Sequence, residues 1–411
     1  MRSSRAGKTR IKVAAVLIAT TALAACSSGG SSGGTASDKK GTVPLALVYP
    51  TSGVWTTQGE NSVRGAKLAI KDVNAAGGVL GGENLVGITA DAGNDPQTAA
   101  SAARRLIQSS KPAALLGAYL SSYTLTVSTV AEEAKVADIT QSFSDELITR
   151  GYQYTFKTTP TAAAFSQSLF KYLTEMYKSV GKDIPTVALL ASDDASGQQQ
   201  YKAAEKAAPA AGFGVALKVQ FPANITDTSS LVSRIADAKP GIVLLNGPDA
   251  AEIQIVKALR ARGIDVPVVG LGGAGATTQA FVDALGKGVD GVLATVPYNA
   301  DINANGLAIE KRYLTEYGGT FMPAEAGTAY VGVMLAAAAI DKAQSADSVK
   351  VAAALHTLTL TNDAAKLFPG EKFSFDDKGL NENTFPIMIQ YQNGKPVTVW
   401  PKDVATATPK L

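Results

Sequence analysis

Few side chains of this chain are equipped for chemistry, and their spacing narrows what they can do. Its 411 residues hold one cysteine, Cys26, and one histidine, His356. An internal disulfide is excluded, and so is a metal site or triad that needs two such residues. No nucleophile stands beside a base, so catalysis is not implied, and neither a metal nor a cofactor is expected. His356 lies in an amphipathic stretch at 351–357 and reads as structural. The run Gly270-Leu271-Gly272-Gly273-Ala274-Gly275 fits G-x-G-x-x-G. A dinucleotide site built on it needs an acid at the end of the following strand, for the ribose. Asp290 comes about 20 residues later but precedes its strand, so that geometry fails.

Other residues are placed to bind rather than to react. Ser121 and Ser122 follow an apolar strand and open a helix. Hydroxyls and free backbone N–H groups there can hold an anionic or carbonyl oxygen, with a helix-end contribution of ~0.3–1 kcal/mol. Plain N-capping is the alternative. Gln141, Ser142 and Phe143 sit at the tip of the next strand. Trp55 lies in the first strand-to-helix loop, where an aromatic ring can cover an apolar ligand. Asp193 and Ser196 sit at a later strand tip, where Asp193 could meet a cation or cap a helix. Asn224-Ile225-Thr226 matches a glycosylation acceptor. Asp376-Asp377-Lys378-Gly379 lacks calcium-loop spacing and reads as a turn.

The elements that must position these residues begin after an export signal. Arg2, Arg5, Lys8, Arg10 and Lys12 precede an apolar run at 13–25. That run is about 13 residues, short of the ~20 that span a bilayer. With its small-residue end, 1–25 reads as a signal peptide. Leu23-Ala24-Ala25-Cys26 resembles the lipobox of bacterial lipoproteins, which implies cleavage before Cys26 and a lipid on its thiol. Residues 27–34 run SSGGSSGG, and 26–41 reads as a flexible tether. The formal charge of +3 belongs to the leader, because the mature chain has 33 basic and 35 acidic residues, a net −2. No basic patch remains, so nucleic acid is not an expected partner. The mature chain of 386 residues exceeds the ~250–300 at which one core stops growing, so two lobes are expected.

Short apolar runs alternate with helical periodicity. Strands are expected at 43–48, 85–90, 113–116 and 136–140, with helices at 58–75, from Asp95-Pro96 and from Ser121. The rhythm restarts near Thr186. Strands follow at 187–190, 215–221, 242–245, 266–269 and 292–296, and helices at 197–210, 229–238 and 250–261. Further helices are expected at 307–317 and 326–343, then a hairpin of 385–391 and 397–400 around Asn393-Gly394. Such alternation builds parallel sheets with helices on both faces, an α/β fold. Ligands collect at the carboxyl ends of such strands. With two lobes, those ends can face each other across a cleft.

Several short segments carry a further signal through their order and spacing. They are Pro50-Thr51-Ser52-Gly53 with Gly59 and Arg64-Gly65-Ala66, the run 70–78 (IKDVNAAGG), and 91–96 (DAGNDP). Leu115 to Gly117 leading into Ser121-Ser122, Glu146-Leu147 with Arg150-Gly151-Tyr152, and 291–297 complete the set. On these, 43–400 resembles the type I periplasmic binding proteins of the branched-chain amino acid class, which serve ABC transporters. The resemblance implies two doubly wound lobes with three crossings, near 158–160, 296–297 and 373–377. The lobes are then 42–158 plus 297–373 and 159–296 plus 374–411.

The resemblance also implies site roles. Ser121 takes the position that holds a ligand carboxylate. Ser142 falls at a small ligand-holding residue, Phe143 stands where the family has a threonine, and Ser196 where it often has a tyrosine. Tyr298, just after a crossing, is a further candidate. In the amino-acid binders the glycine loop carries an acid for the ligand ammonium, and Gly272 holds that position here. A buried amine would lack that partner, so the expected ligand is amino-acid-like but not a simple α-amino acid, and an uncharged amide, a carboxylate without the amine or another small polar–apolar molecule fits better. The expected protein is an extracytoplasmic, lipid-anchored monomer that captures a small molecule and presents it to an ABC permease with its ATPase, by hinge closure. The alternatives are a sensory binder that signals through a receptor, or an exported enzyme on the same sheets. A DNA-binding repressor of this fold would need a helix-turn-helix head, and none precedes Val43.

Overall fold

The apolar runs become strands because each is stopped by turn residues and flanked by neighbours that bury it. A computed structural model describes residues 41–272 and 274–411, apart from the side chains of Ala195 and Ser196. The leader, the tether up to residue 40 and Cys26 lie outside the described residues. The first strand, β1 (Thr42–Tyr49), is followed by α1 (Thr56–Ala75), β2 (Asn84–Asp91), α2 (Pro96–Ser110), β3 (Ala114–Gly117), α3 (Ser121–Ala134), β4 (Asp138–Thr140) and β5 (Thr155–Lys157). These five strands form one parallel sheet in the order β2-β1-β3-β4-β5. Leu45 and Leu47 of the central β1 are fully buried, as a parallel strand covered on both faces requires. Asp95 caps α2, accepting from the Gln97 and Thr98 N–H groups.

The second sheet repeats the alternation. Its elements are α4 (Ala162–Ser179), β6 (Val187–Ser192), α5 (Ala195–Ala210), β7 (Val215–Phe221), α6 (Ser229–Ala238), β8 (Ile242–Asn246), α7 (Asp249–Ala261), β9 (Val268–Gly270), α8 (Gln279–Leu285) and β10 (Leu293–Val296). The chain then returns to the first lobe for α9 (Ala304–Tyr317), α10 (Ala324–Ala343) and α11 (Ser348–His356), and ends in β11 (Ile387–Gln392) and β12 (Lys395–Trp400). The order is β12-β11-β10-β9-β8-β6-β7, parallel except where β11 meets β10 and β12. Asn393 and Gly394 join the hairpin with φ of +55° and +75°, the left-handed pair that a two-residue turn demands.

The expected two-lobed α/β fold is therefore present. Three elements go unassigned when the sequence is read alone: β5, α4 and α8. β5 has three residues, too few for periodicity to register. α4 does carry a stripe, burying Phe165, Leu169, Leu173 and Met176.

Helix α10 lies against α1 through Gly65. A Cβ at Gly65 would fall 2.0 Å from the Ala326 carbonyl oxygen. One apolar core thus joins Leu45 and Leu47 to Val331 and Leu335. The chain passes between the sheets after β5, after β10, and between Leu380, which pairs with Lys157, and β11. His356 is structural: its Nε2 lies 2.9 Å from the Gln153 carbonyl oxygen and its ring packs 4.8 Å from Phe156. The 376–379 segment is a turn, with the Asp376 carboxylate accepting from the Lys378 and Leu380 N–H groups. Among the described residues no helix is long and apolar enough to cross a membrane.

Candidate functional site

In a parallel sheet the carboxyl ends of all strands open on one edge. Here the loops after β1, β3 and β4 meet those after β8 and β9. An inner chamber of about 40 Å³ is lined by Trp55, Tyr119, Ser121, Gln141 and Phe143 of the first lobe, and by Gln200, Asn246 and Gly272 of the second. A space that size holds ~3 waters, far below the ~300 Å³ of a small ligand pocket. An adjoining void of about 20 Å³ brings in Thr277, Glu325 and Thr328. Outward, a mouth of about 510 Å³ opens among Trp55, Ser122, Tyr123, Asp193, Asp194 and Asn224.

Among the described residues, hydrogen bonds tie the lobes across this cleft. Thr57 Oγ1 on α1 donates to Asp249 Oδ2 on α7 at 3.0 Å. Thr277 Oγ1, after β9, donates to Glu325 Oε1 on α10 at 3.1 Å. Burial pushes the Glu325 carboxyl up to about 7, against hydrogen bonds that favour its charged form. Glu252, also buried, accepts the Gly247 N–H at 2.7 Å and holds the loop after β8. At the first passage between lobes the fully buried Lys157 ammonium donates to the carbonyl oxygens of Thr159 and Pro160 at 2.8 and 2.7 Å. Its desolvation lowers that ammonium to about 7.

The candidates named from sequence take distinct places. Ser121 is the first residue of α3, but the cap position is Leu120 and no side chain caps the helix. Ser121 Oγ instead accepts from Ser142 Oγ at 3.1 Å, which leaves its own proton available to the chamber. Ser142 is buried behind it. Gln141 is a fixed wall: its Nε2 donates to Ser62 Oγ at 2.9 Å and its Oε1 accepts from Thr328 Oγ1 at 2.8 Å. The Phe143 ring packs 4.4 Å from Phe165, and the Trp55 ring lies 6.3 Å from Tyr119. Ser122 and Asp193 line the mouth. Tyr298 stands apart, buried in the first-lobe core against Phe368. Ser196 falls in the first turn of α5, and its side chain is outside the described residues.

Gly272 carries no carboxylate, and its surroundings leave little room for one. Its φ is +68°, and a Cβ there would sit 3.0 Å from Gln200 Nε2 and 3.2 Å from the Phe143 ring. The glycine run opens no nucleotide-binding helix. Residues Ala274–Thr277 form a single tight turn, and Gly275 is packed on the Asp249 backbone.

The sequence reading missed Tyr119, Gln200, Asn246, Asp249 and Glu325. Asn246 and Asp249 could have been found, because they follow a predicted strand tip. Glu325 had no such signal, since only the packing of α10 brings it to the cleft.

The family model described as periplasmic binding protein matches residues 42–395. A Leu/Ile/Val-binding protein homolog 8 from Brucella melitensis is 30% identical, over 89% of this chain and 92% of that one. A Leu/Ile/Val-binding protein homolog 7 from Brucella suis is 28% identical, over 90% and 94%. Among solved structures, the branched-chain amino acid binding protein LivJ of Streptococcus pneumoniae, in complex with isoleucine, superposes with a TM-score of 0.75 at 23% identity, covering 86% of this chain and 97% of that one. A solute-binding protein from R. palustris in complex with benzoate gives 0.74 at 20% identity, over 87% and 96%.

Proposed function

We propose, from the premise that this chain belongs to the periplasmic binding protein family, that it captures a small molecule between its lobes and delivers it to an ABC importer. It is a binding protein and not an enzyme. One observation carries the reading: the carboxyl tips of two parallel sheets converge on a chamber lined from both lobes. The three passages between the lobes serve as the hinge that opens it. A thermal-shift screen of the intact chain against amino acids, amides, acids, amines, sugars and nucleosides tests the proposal. At about 100 times Kd a ligand should add ~2.7 kcal/mol, and no shift with any class would overturn the reading.

Ser121 is the anchor for an oxygen of the ligand. Its hydroxyl is polarised by Ser142, and a hydrogen bond to a charged group contributes ~1.5–3 kcal/mol. Ser121→Ala should weaken binding about 10- to 100-fold, as calorimetry would read it, with at most the ~1–3 kcal/mol loss of stability that leaving the Ser142 hydroxyl without its acceptor costs. An unaltered affinity would remove Ser121 from the site.

The ligand departs from leucine, isoleucine and valine, because the loop position for an ammonium-binding acid is Gly272. Tight calorimetric binding of leucine or valine would sink that reading. The lipid on Cys26 holds the protein at the outer face of the cell membrane. Cys26→Ser should shift it from the membrane to the soluble fraction, and a variant that stays membrane-bound would refute the anchor.

A further inference from the structure

The carboxylate that the glycine loop lacks is replaced from the opposite side of the same void. Gly272 and Glu325 line that void together with Tyr119, Gln141 and Thr277. Glu325 is 3% exposed. Its Oε1 accepts from Thr277 and the Tyr119 hydroxyl stands close enough to favour its charged form, while its Oε2 makes no hydrogen bond of ordinary geometry. A buried carboxylate oxygen left without a donor costs stability, and folding alone gives no reason to keep it.

The charges that act on it directly have one sign, while Arg64 on α1 acts on Tyr313 behind it. Asp249 on α7 acts on Glu325, and the buried Glu252 acts on Tyr119 and Tyr391 together with it. Tyr119 after β3, Tyr313 on α9 and Tyr391 on β11 are the other titratable groups that face it. Among the described residues, no lysine, arginine or histidine lines either inner void or the mouth. Lys157 lies beyond the Phe143 ring, 5.9 Å from its centroid, with its protons engaged by Thr159 and Pro160. The mouth adds Asp193 and Asp194. A cleft lined by one sign draws in the opposite charge. Trp55, Tyr119 and Phe143 add aromatic faces, which attract cations.

We propose that Glu325, backed by Asp249, receives a cationic nitrogen of the ligand, so that the cargo is a small amine whose ammonium is presented away from the oxygen held at Ser121. This inference rests on the binding-protein reading and names the chemistry of the same cleft. It accounts for both departures at once. The amine is met by α10 instead of the glycine loop, so the ammonium is displaced from the place it has in a simple α-amino acid.

Matched pairs that differ only in the amine test it by calorimetry on the intact chain: δ-aminovalerate against valerate, isoamylamine against isoamyl alcohol, and putrescine against butanediol. The amine of at least one pair should bind about tenfold or more tighter than its partner. Glu325→Gln should erase that preference, so that the two members of each pair bind the variant alike. In the native chain the preference should grow as pH rises through about 7, where Glu325 ionises, and the variant should show no such growth. Binding of acids or alcohols with no preference for any amine overturns the inference and leaves the binding-protein reading intact. So does an amine preference that survives Glu325→Gln. Silence in these pairs and in the wider screen overturns both.

Discussion

Replacing Glu325 by glutamine should make the protein more stable at pH 8 and leave it unchanged near pH 4.5. The folded carboxyl keeps its proton up to about 7, whereas the unfolded one releases it near the ordinary glutamate value of 4.5. Between those values the folded state binds more protons than the unfolded state, so stability falls as pH rises. The loss is complete once pH exceeds about 7, and a shift of this size corresponds to about 3 kcal/mol. Glutamine has the same shape and no charge to desolvate, and its carbonyl can still accept from Thr277. The variant should therefore gain on the order of 2–3 kcal/mol at pH 8. Melting of both proteins across pH 4–8 measures it, and parallel curves at every pH would refute the assignment. The same substitution is expected to abolish the preference for amines. A residue whose removal stabilises the fold and impairs binding is what a functional carboxylate should be.

Gly65→Ala should be among the most damaging single substitutions outside the cleft. Alanine raises helix propensity by ~1 kcal/mol over glycine, so the local effect on α1 is favourable. The added Cβ, however, would meet the Ala326 carbonyl oxygen at 2.0 Å. No rotamer relieves a clash between a Cβ and a backbone atom, so α1 and α10 must separate. Overpacking of this kind costs ~1–3 kcal/mol where side chains can yield, and more where they cannot. The net loss should be about 2 kcal/mol or greater, a drop of at least about 2–3 °C in Tm for a body of this size. Gly288→Ala is the control, because its Cβ meets nothing within 4 Å. Equal Tm values for the two variants would show that the helix contact has slack. Since α10 also carries Glu325, the variant should weaken ligand binding along with stability.

What the sequence determined by itself is local. Apolar runs bounded by turn residues marked most of the strands. Asp95 before Pro96 marked the start of α2, and Asn393-Gly394 marked the hairpin. Each depends on residues within a few positions of one another, where steric and capping preferences act directly. Strand tips also pointed to Ser121, Gln141 and Phe143, because alternation of strand and helix already implies which end of a parallel sheet is open. The tertiary structure alone decided which side chains share the cleft. Thr57 meets Asp249 across 192 residues and Thr277 meets Glu325 across 48. No periodicity encodes such pairs. The same packing removed Tyr298 to the core, and it turned an absent acid at Gly272 into a present one at Glu325. A side chain's burial and charge environment depend on everything folded around it, and so the electrostatics of the cleft became legible only once α10 lay against α1.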